Sequence, residues 1–215
     1  MRTKRPFRPL YAAPFVVLLL AGAADPTRFA LPPAPPRFAP PAHGVLFADD
    51  FSGDLAKWEA DTSGAWSVWK RMLRADLPDR KQARALLFAG DSSWQDYRLD
   101  FDVCGMRGVD KGAVVRVEGT SGFAIDLRGG SYQDVVAYLR EWPAGRAAAT
   151  NANGTWNHVR IEARGGTFRV WVNGALAIQR ADARRPRGRI ALAAYTGGVG
   201  QCTAYFDNVV VTALE

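Results

Sequence analysis

The chain has 215 residues, a formal charge of +7, 21 glycines, 13 prolines, two histidines and two cysteines. Four of the basic residues, Arg2, Lys4, Arg5 and Arg8, stand at the extreme N-terminus, and removing their four charges from +7 leaves +3 for the rest. That bias is too small to argue for nucleic acid, and two histidines support neither a zinc cluster nor a Ser-His-Asp triad.

The basic start is followed by an uncharged stretch from Pro9 to Ala24 that contains Phe15-Val16-Val17-Leu18-Leu19-Leu20 and ends in small residues. This pattern predicts a secretory signal peptide over 1-24, shorter than a standard membrane span and interrupted by Pro14, with a retained signal anchor as the alternative. The protein is therefore expected to be secreted, periplasmic or extracellular, with no transmembrane segment in its mature form. Pro26 to Pro41 holds seven prolines and predicts an extended linker over 25-42. The folded domain is expected over 43-215.

From Val45 onward, apolar and polar residues alternate in short runs. Val45-Leu46-Phe47, Trp66-Ser67-Val68-Trp69, Ala83 to Ala89 and Tyr97 to Val103 read as strands. Three central strands follow between Gly112 and Arg140, then His158 to Ala163, Phe168 to Val172, Ala175 to Ile178, Ile190 to Tyr195 and Tyr205 to Val211. Asn173-Gly174 between two of these runs is a strong hairpin signal, because both residues accept positive φ. Sustained helical periodicity is missing. About a dozen strands in one domain predict an all-β sandwich or barrel.

The three central strands are the densest source of polar side chains. In each, alternate residues are apolar, which leaves Arg116, Glu118, Asp126, Arg128, Tyr138 and Arg140 for the opposite face. Guanidinium and carboxylate groups in that density suit sugar hydroxyls, and Tyr138, Trp142 or Tyr195 can stack on a pyranose. The competing reading is a solvated sheet face laced with cross-strand ion pairs. Asp49, Asp50, Asp207 and Asn208 come from the first and last strands and form an oxygen-rich set for a structural calcium, with Asp50 and Asp207 as its core; turn capping is the alternative. Cys104 closes one predicted strand and Cys202 opens the last, so antiparallel pairing of the two predicts a disulfide, with two free thiols buried as small hydrophobes as the alternative.

A series of short motifs runs in order: Asp49-Asp50-Phe51, Trp66-Ser67-Val68, Trp94-Gln95-Asp96-Tyr97-Arg98-Leu99, Gly112-Ala113-Val114-Val115-Arg116, Gly154-Thr155-Trp156-Asn157-His158-Val159, Val172-Asn173-Gly174, Gly188-Arg189-Ile190-Ala191-Leu192 and Phe206-Asp207-Asn208-Val209. The series resembles the concanavalin A-like jelly roll of lectins and glucanases, and within it the laminin G-like and 3-keto-disaccharide hydrolase domains. The resemblance spans Leu46 to Leu214. It implies two stacked antiparallel sheets with sugar bound on the concave one, formed by the central strands. The Tyr97, Trp156 and Trp171 strands would form the other sheet. Arg116 matches the arginine that follows the small-residue run in the keto-sugar hydrolases; where those domains usually place a glutamate in the next strand, this chain offers Asp126. The resemblance implies carbohydrate recognition without a redox or nucleotide cofactor. As an enzyme it would cleave a 3-keto-glycoside, with Asp126 or Glu118 as base and Arg116 at the developing oxyanion. A purely structural or adhesion module is the third reading.

Overall fold

The computed structural model describes residues 33-37, 39-139 and 142-215. The predicted signal peptide, the first part of the proline run and Arg140 lie outside the described residues. The strands are β1 (Val45–Asp49), β2 (Glu59–Ala60), β3 (Trp66–Trp69), β4 (Met72–Leu77), β5 (Arg84–Ala89), β6 (Tyr97–Gly108), β7 (Asp110–Glu118), β8 (Ser121–Arg128), β9 (Asp134–Leu139), β10 (Trp142–Ala148), β11 (Trp156–Arg164), β12 (Thr167–Val172), β13 (Ala175–Ala181), β14 (Arg189–Tyr195) and β15 (Cys202–Ala213). They form two antiparallel sheets. The larger has eight strands in the order β13-β12-β11-β6-β15-β4-β3, with β1 paired to β15; the smaller has seven in the order β10-β9-β8-β7-β14-β5-β2. The chain is thus the two-sheet sandwich that alternation and motif order predict. The central strands share one sheet, and the Tyr97, Trp156 and Trp171 strands share the other.

Alternation sends one face of each strand into a common core. Leu99, Phe101, Ile161, Val170 and Phe206 enter it from the larger sheet, and Leu87, Val115, Phe123, Ile125 and Leu192 from the smaller. Phe123 stacks on Phe168 of the opposite layer at 4.3 Å between centroids. Each such ring contributes about 1.5–3 kcal/mol by leaving water. The predicted Asn-Gly hairpin joins β12 to β13, with φ of 51° at Asn173 and 81° at Gly174.

The disulfide is a correction. Strands β6 and β15 do pair antiparallel, but β6 continues past Cys104 to Gly108, so Cys202 lies opposite Gly108 and Cys104 opposite Tyr205. Four residues of offset place the sulfurs roughly 13 Å apart along the strands, beyond reach of a bridge. They also face different ways: Cys202 packs in the central core, Cys104 in an outer cluster with Met72 and Tyr205. Both are free and buried, and burial pushes their thiols up to about 11 and about 12. Two thiols should therefore react with a thiol reagent in denaturant and almost none in the folded protein. A reductant-dependent shift in gel mobility would contradict this register.

In the central strands alternation breaks at Arg116. Its φ is +50°, and the β7 register slips there against both β8 and β14. This bulge turns Arg116 into the protein, fully buried, and swings Val117 to the outer face. The Tyr97 hydroxyl, reaching across from the larger sheet, accepts the Arg116 N–H at 2.6 Å and donates to the Gly188 carbonyl at 3.1 Å.

Candidate functional site

Because partners in an antiparallel pair share a face, the registers of β5, β14, β7, β8, β9 and β10 lay out the outer face of the smaller sheet as three rows. The first row is Arg84, Tyr195, Asp110, Arg128, Asp134 and Ala148. The second is Leu86, Ala193, Gly112, Asp126, Val136 and Arg146. The third is Phe88, Ala191, Val114, Ala124, Tyr138 and Pro143. A polar row therefore borders an apolar one, with Asp126 between them. Gly112 beside Asp126 has no room for a side chain, since a Cβ would meet the Ile125 carbonyl at 1.9 Å.

Arg128 is the best-held cation of this face. Its Nε and Nη2 donate to the two carboxylate oxygens of buried Asp134, each at 2.7 Å, and Arg146 Nε donates to the same carboxylate at 2.5 Å. The guanidinium lies over the Tyr132 ring at 4.3 Å, and Tyr132 is 49% exposed. The two arginines hold the Asp134 carboxyl below its usual range. Asp126 differs: among the described residues no side chain or N–H hydrogen-bonds its carboxyl. Burial, reinforced by Asp110, pushes it up to about 7, against the opposing pull of Arg128 and Lys111. Burial likewise raises Asp110 and Tyr138. Beneath the face, Lys111 is buried with Nζ donating to the Val109 carbonyl at 3.0 Å, and burial brings it down to about 8.

Of the residues picked out from sequence, Asp126, Arg128, Tyr138 and Tyr195 meet on this face. Tyr195 donates its hydroxyl to Gln82. Arg116 does not reach the face, because the bulge turns it inward. Glu118 stands at the far end of β7, exposed and paired with Arg185 at 2.8 Å. Trp142 is 77% exposed at the sheet edge but lies opposite Leu139, on the core side of the pleat. Asp110, Asp134, Tyr132 and Arg146 join them without having been among the sequence candidates. Extending the β7 alternation backward from Gly112 reaches Asp110, and extending β9 backward from Val136 reaches Asp134; Tyr132 carries no periodic signal.

The opposite side of the sandwich carries a second polar cluster. His158 Nδ1 and Nε2 lie 2.9 and 3.2 Å from Asp102 and Asp100, which raise it to about 9. Pro35, Pro36, Ala39 and Pro41 line a groove of about 620 Å³ with these residues and Trp156. Trp156 Nε1 donates to the Pro33 carbonyl at 2.9 Å and Asn208 Nδ2 to the Pro36 carbonyl at 3.0 Å. The end of the proline run thus lies on the larger sheet. Asp50 and Asp207 do come together, around Arg37: it pairs with Asp50 and stands 4.0 Å from buried Asp207. Asp49 is occupied by the Phe51 N–H and the Trp58 indole, both at 2.9 Å. Among the described residues no group of three acidic, histidine or cysteine side chains is arranged to hold a metal.

Among solved structures the chain is similar to the carbohydrate binding module CBM66 from Bacillus subtilis, with 16% identity, a TM-score of 0.61 and coverage of 73% of this chain and 96% of that one. It is also similar to the exoplasmic/lumenal domain of VIP36 in its Ca2+/Man3GlcNAc-bound form, with 12% identity, a TM-score of 0.62 and coverage of 80% and 89%. At such identities what is shared is the fold. Over 55 residues it is 40% identical to an extracellular exo-alpha-L-arabinofuranosidase of Streptomyces chartreusis; the match spans 26% of this chain and 6% of that protein. The model of the 3-keto-alpha-glucoside-1,2-lyase-like domain matches residues 45–212, and the chain belongs to that family.

Proposed function

We propose that this is an exported domain that binds a glycan across the outer face of the smaller sheet. One observation carries the reading: Arg128 is fixed in plane by Asp134 and stacked on exposed Tyr132, beside the Asp126 carboxyl that no side chain or N–H among the described residues engages. A held guanidinium, a free carboxyl and an aromatic face are the donor, acceptor and platform that a sugar ring requires. The carbohydrate-binding module and lumenal domain that share the fold support it. So does the extracellular glycosidase that matches part of the chain. The reading calls for no resident cofactor, and the Arg37 guanidinium beside Asp50 and Asp207 supplies positive charge where a structural calcium is the alternative.

A second reading, cleavage of a 3-keto-glycoside, is favoured by Asp126 itself. A carboxyl near 7 suits a base that removes the proton from the carbon beside the ketone. Arg128 would draw the developing enolate charge, and the glycosidic oxygen would leave the adjacent carbon with the proton from the acid form of Asp126. In this scheme Arg128 takes the role expected of Arg116.

NMR of the full chain against a glycan panel that includes 3-keto-disaccharides separates these readings. Saturation transfer without new peaks is expected for a binding module, and product peaks for a lyase. Arg128→Ala should weaken glycan binding by about tenfold or more, the worth of a charge-assisted hydrogen bond. Tyr132→Ala, at an exposed position, tests the same platform without disturbing Asp134. Unchanged affinity in both variants would remove the site from this face.

A further inference from the structure

The loop of residues 182–188, between β13 and β14, carries Arg184, Arg185 and Arg187, and β14 opens on Arg189. With Ser92, Ser93, Glu118 and Gly119 they line a groove of about 620 Å³. Four guanidinium groups line it beside a single lining carboxylate, that of Glu118, while Asp182 and Glu59, outside the lining, hold Arg184 and Arg189. Arg185 is buried: Nη1 donates to Glu118 at 2.8 Å and Nη2 to the Ser121 hydroxyl at 3.2 Å, while its buried Nε has no hydrogen-bond partner. Arg184 is tied to Asp182. Arg189 pairs with Glu59 at 2.6 Å and lies over the Phe88 ring at 4.4 Å. Arg187 is exposed and has no ion-pair partner among the described residues.

The groove is the end of the outer face described above. Phe88 belongs to the third row, and Val117, which lines the groove, packs in the same outer apolar cluster. From Asp110 to Val117 is roughly 20 Å along the strand. A chain of sugar rings lying on the face therefore runs from the Asp126 and Arg128 region over an apolar floor into the arginine groove.

We infer that this groove takes the anionic group of an acidic glycan, the carboxylate of a uronic acid or a sulfate, so that the domain selects charged over neutral polysaccharide. The inference rests on the glycan-binding reading. A planar carboxylate fits a guanidinium fork, and the apolar side chains of Val117 and Pro186 in the groove lining limit the screening that would erase the attraction at an open surface.

Calorimetric titration of the full chain with an oligogalacturonate, its fully methyl-esterified counterpart and a sulfated oligogalactan tests it. The acidic oligosaccharide is expected to bind about tenfold or more tightly than the ester, with the advantage shrinking as salt rises. A matching gain with the sulfated sugar assigns the groove to anions generally; a gain with the uronate alone assigns it to carboxylates. The double variant Arg184→Ala/Arg187→Ala alters only exposed side chains and leaves the buried Arg185 in place. It should abolish the advantage while keeping the affinity for the ester. Equal binding of ester and acid by the wild type, or an advantage that survives in the double variant, overturns the acidic-glycan inference and leaves the glycan-binding reading standing. Binding of none of the three sugars counts against both.

Discussion

Arg116→Ala is expected to cost about 3–5 kcal/mol of stability, the scale for removing one partner of a buried charged network. For a domain of this size that lowers Tm by about 10 °C. The arginine donates from Nε to the Gln95 carbonyl at 3.1 Å, from Nη1 to the Gly165 and Arg185 carbonyls at 2.5 and 2.8 Å, and from Nη2 to Asp96 at 2.9 Å. It also lies over the Phe168 ring at 5.3 Å. One side chain thus ties the β7 bulge to the segment before β6, to the β11–β12 turn and to the arginine loop. Deleting it leaves three backbone carbonyls without that donor, the buried Arg185 carbonyl among them, and empties the space of a fully buried side chain. Lysine cannot replace a planar fork that serves four acceptors, so Arg116→Lys should recover only a small part of the loss. Thermal unfolding by circular dichroism measures both. A variant that keeps the wild-type Tm but loses glycan affinity would return Arg116 to the ligand face and refute the bulge.

Asp126→Asn is expected to have its largest effect on chemistry. If the domain cleaves 3-keto-glycosides, loss of a positioned base should lower turnover by about 10²-fold or more. Stability gives a readout that does not depend on activity. Native Asp126 keeps its proton up to about pH 7, whereas the unfolded chain releases it near the ordinary aspartate value of 3.8. The native state therefore holds the extra proton between these values, and Asp126 makes stability fall as pH rises through the window. Asparagine removes that contribution. The Tm difference between variant and wild type should be small at pH 4, should favour the variant increasingly up to about pH 7 and should level off above it. A difference that does not change with pH would mean that Asp126 titrates as an ordinary exposed carboxylate and is a poor base.

Much of the architecture was legible because alternation acts locally. Phe123, Ile125 and Leu127 can bury one face only if Ala124, Asp126 and Arg128 take the other, and Asn173-Gly174 sets its turn without help from distant residues. Arg116 defeated the same rule. Bulges of this type commonly have glycine at the positive-φ position, and here the conformation is held by a hydroxyl from Tyr97, nineteen residues away in sequence. The cysteines failed for a related reason: a strand's length is set by its partners, and β6 gains its last residues from pairing with the start of β15. Asp134 escaped notice because its value to the site comes from Arg128 across a strand boundary. The arginine loop has no periodicity to mark it, and its importance arises from the serines and the β7–β8 turn that the fold brings opposite it.

The proline residues that lie on the larger sheet give the domain a front and a back. Trp156 and Asn208 hold the carbonyls of Pro33 and Pro36 on the side away from Asp126. Any support joined through that run stands behind the sandwich. The charged rows would then look away from that support, so that a long polymer could lie across them without threading between the domain and the support.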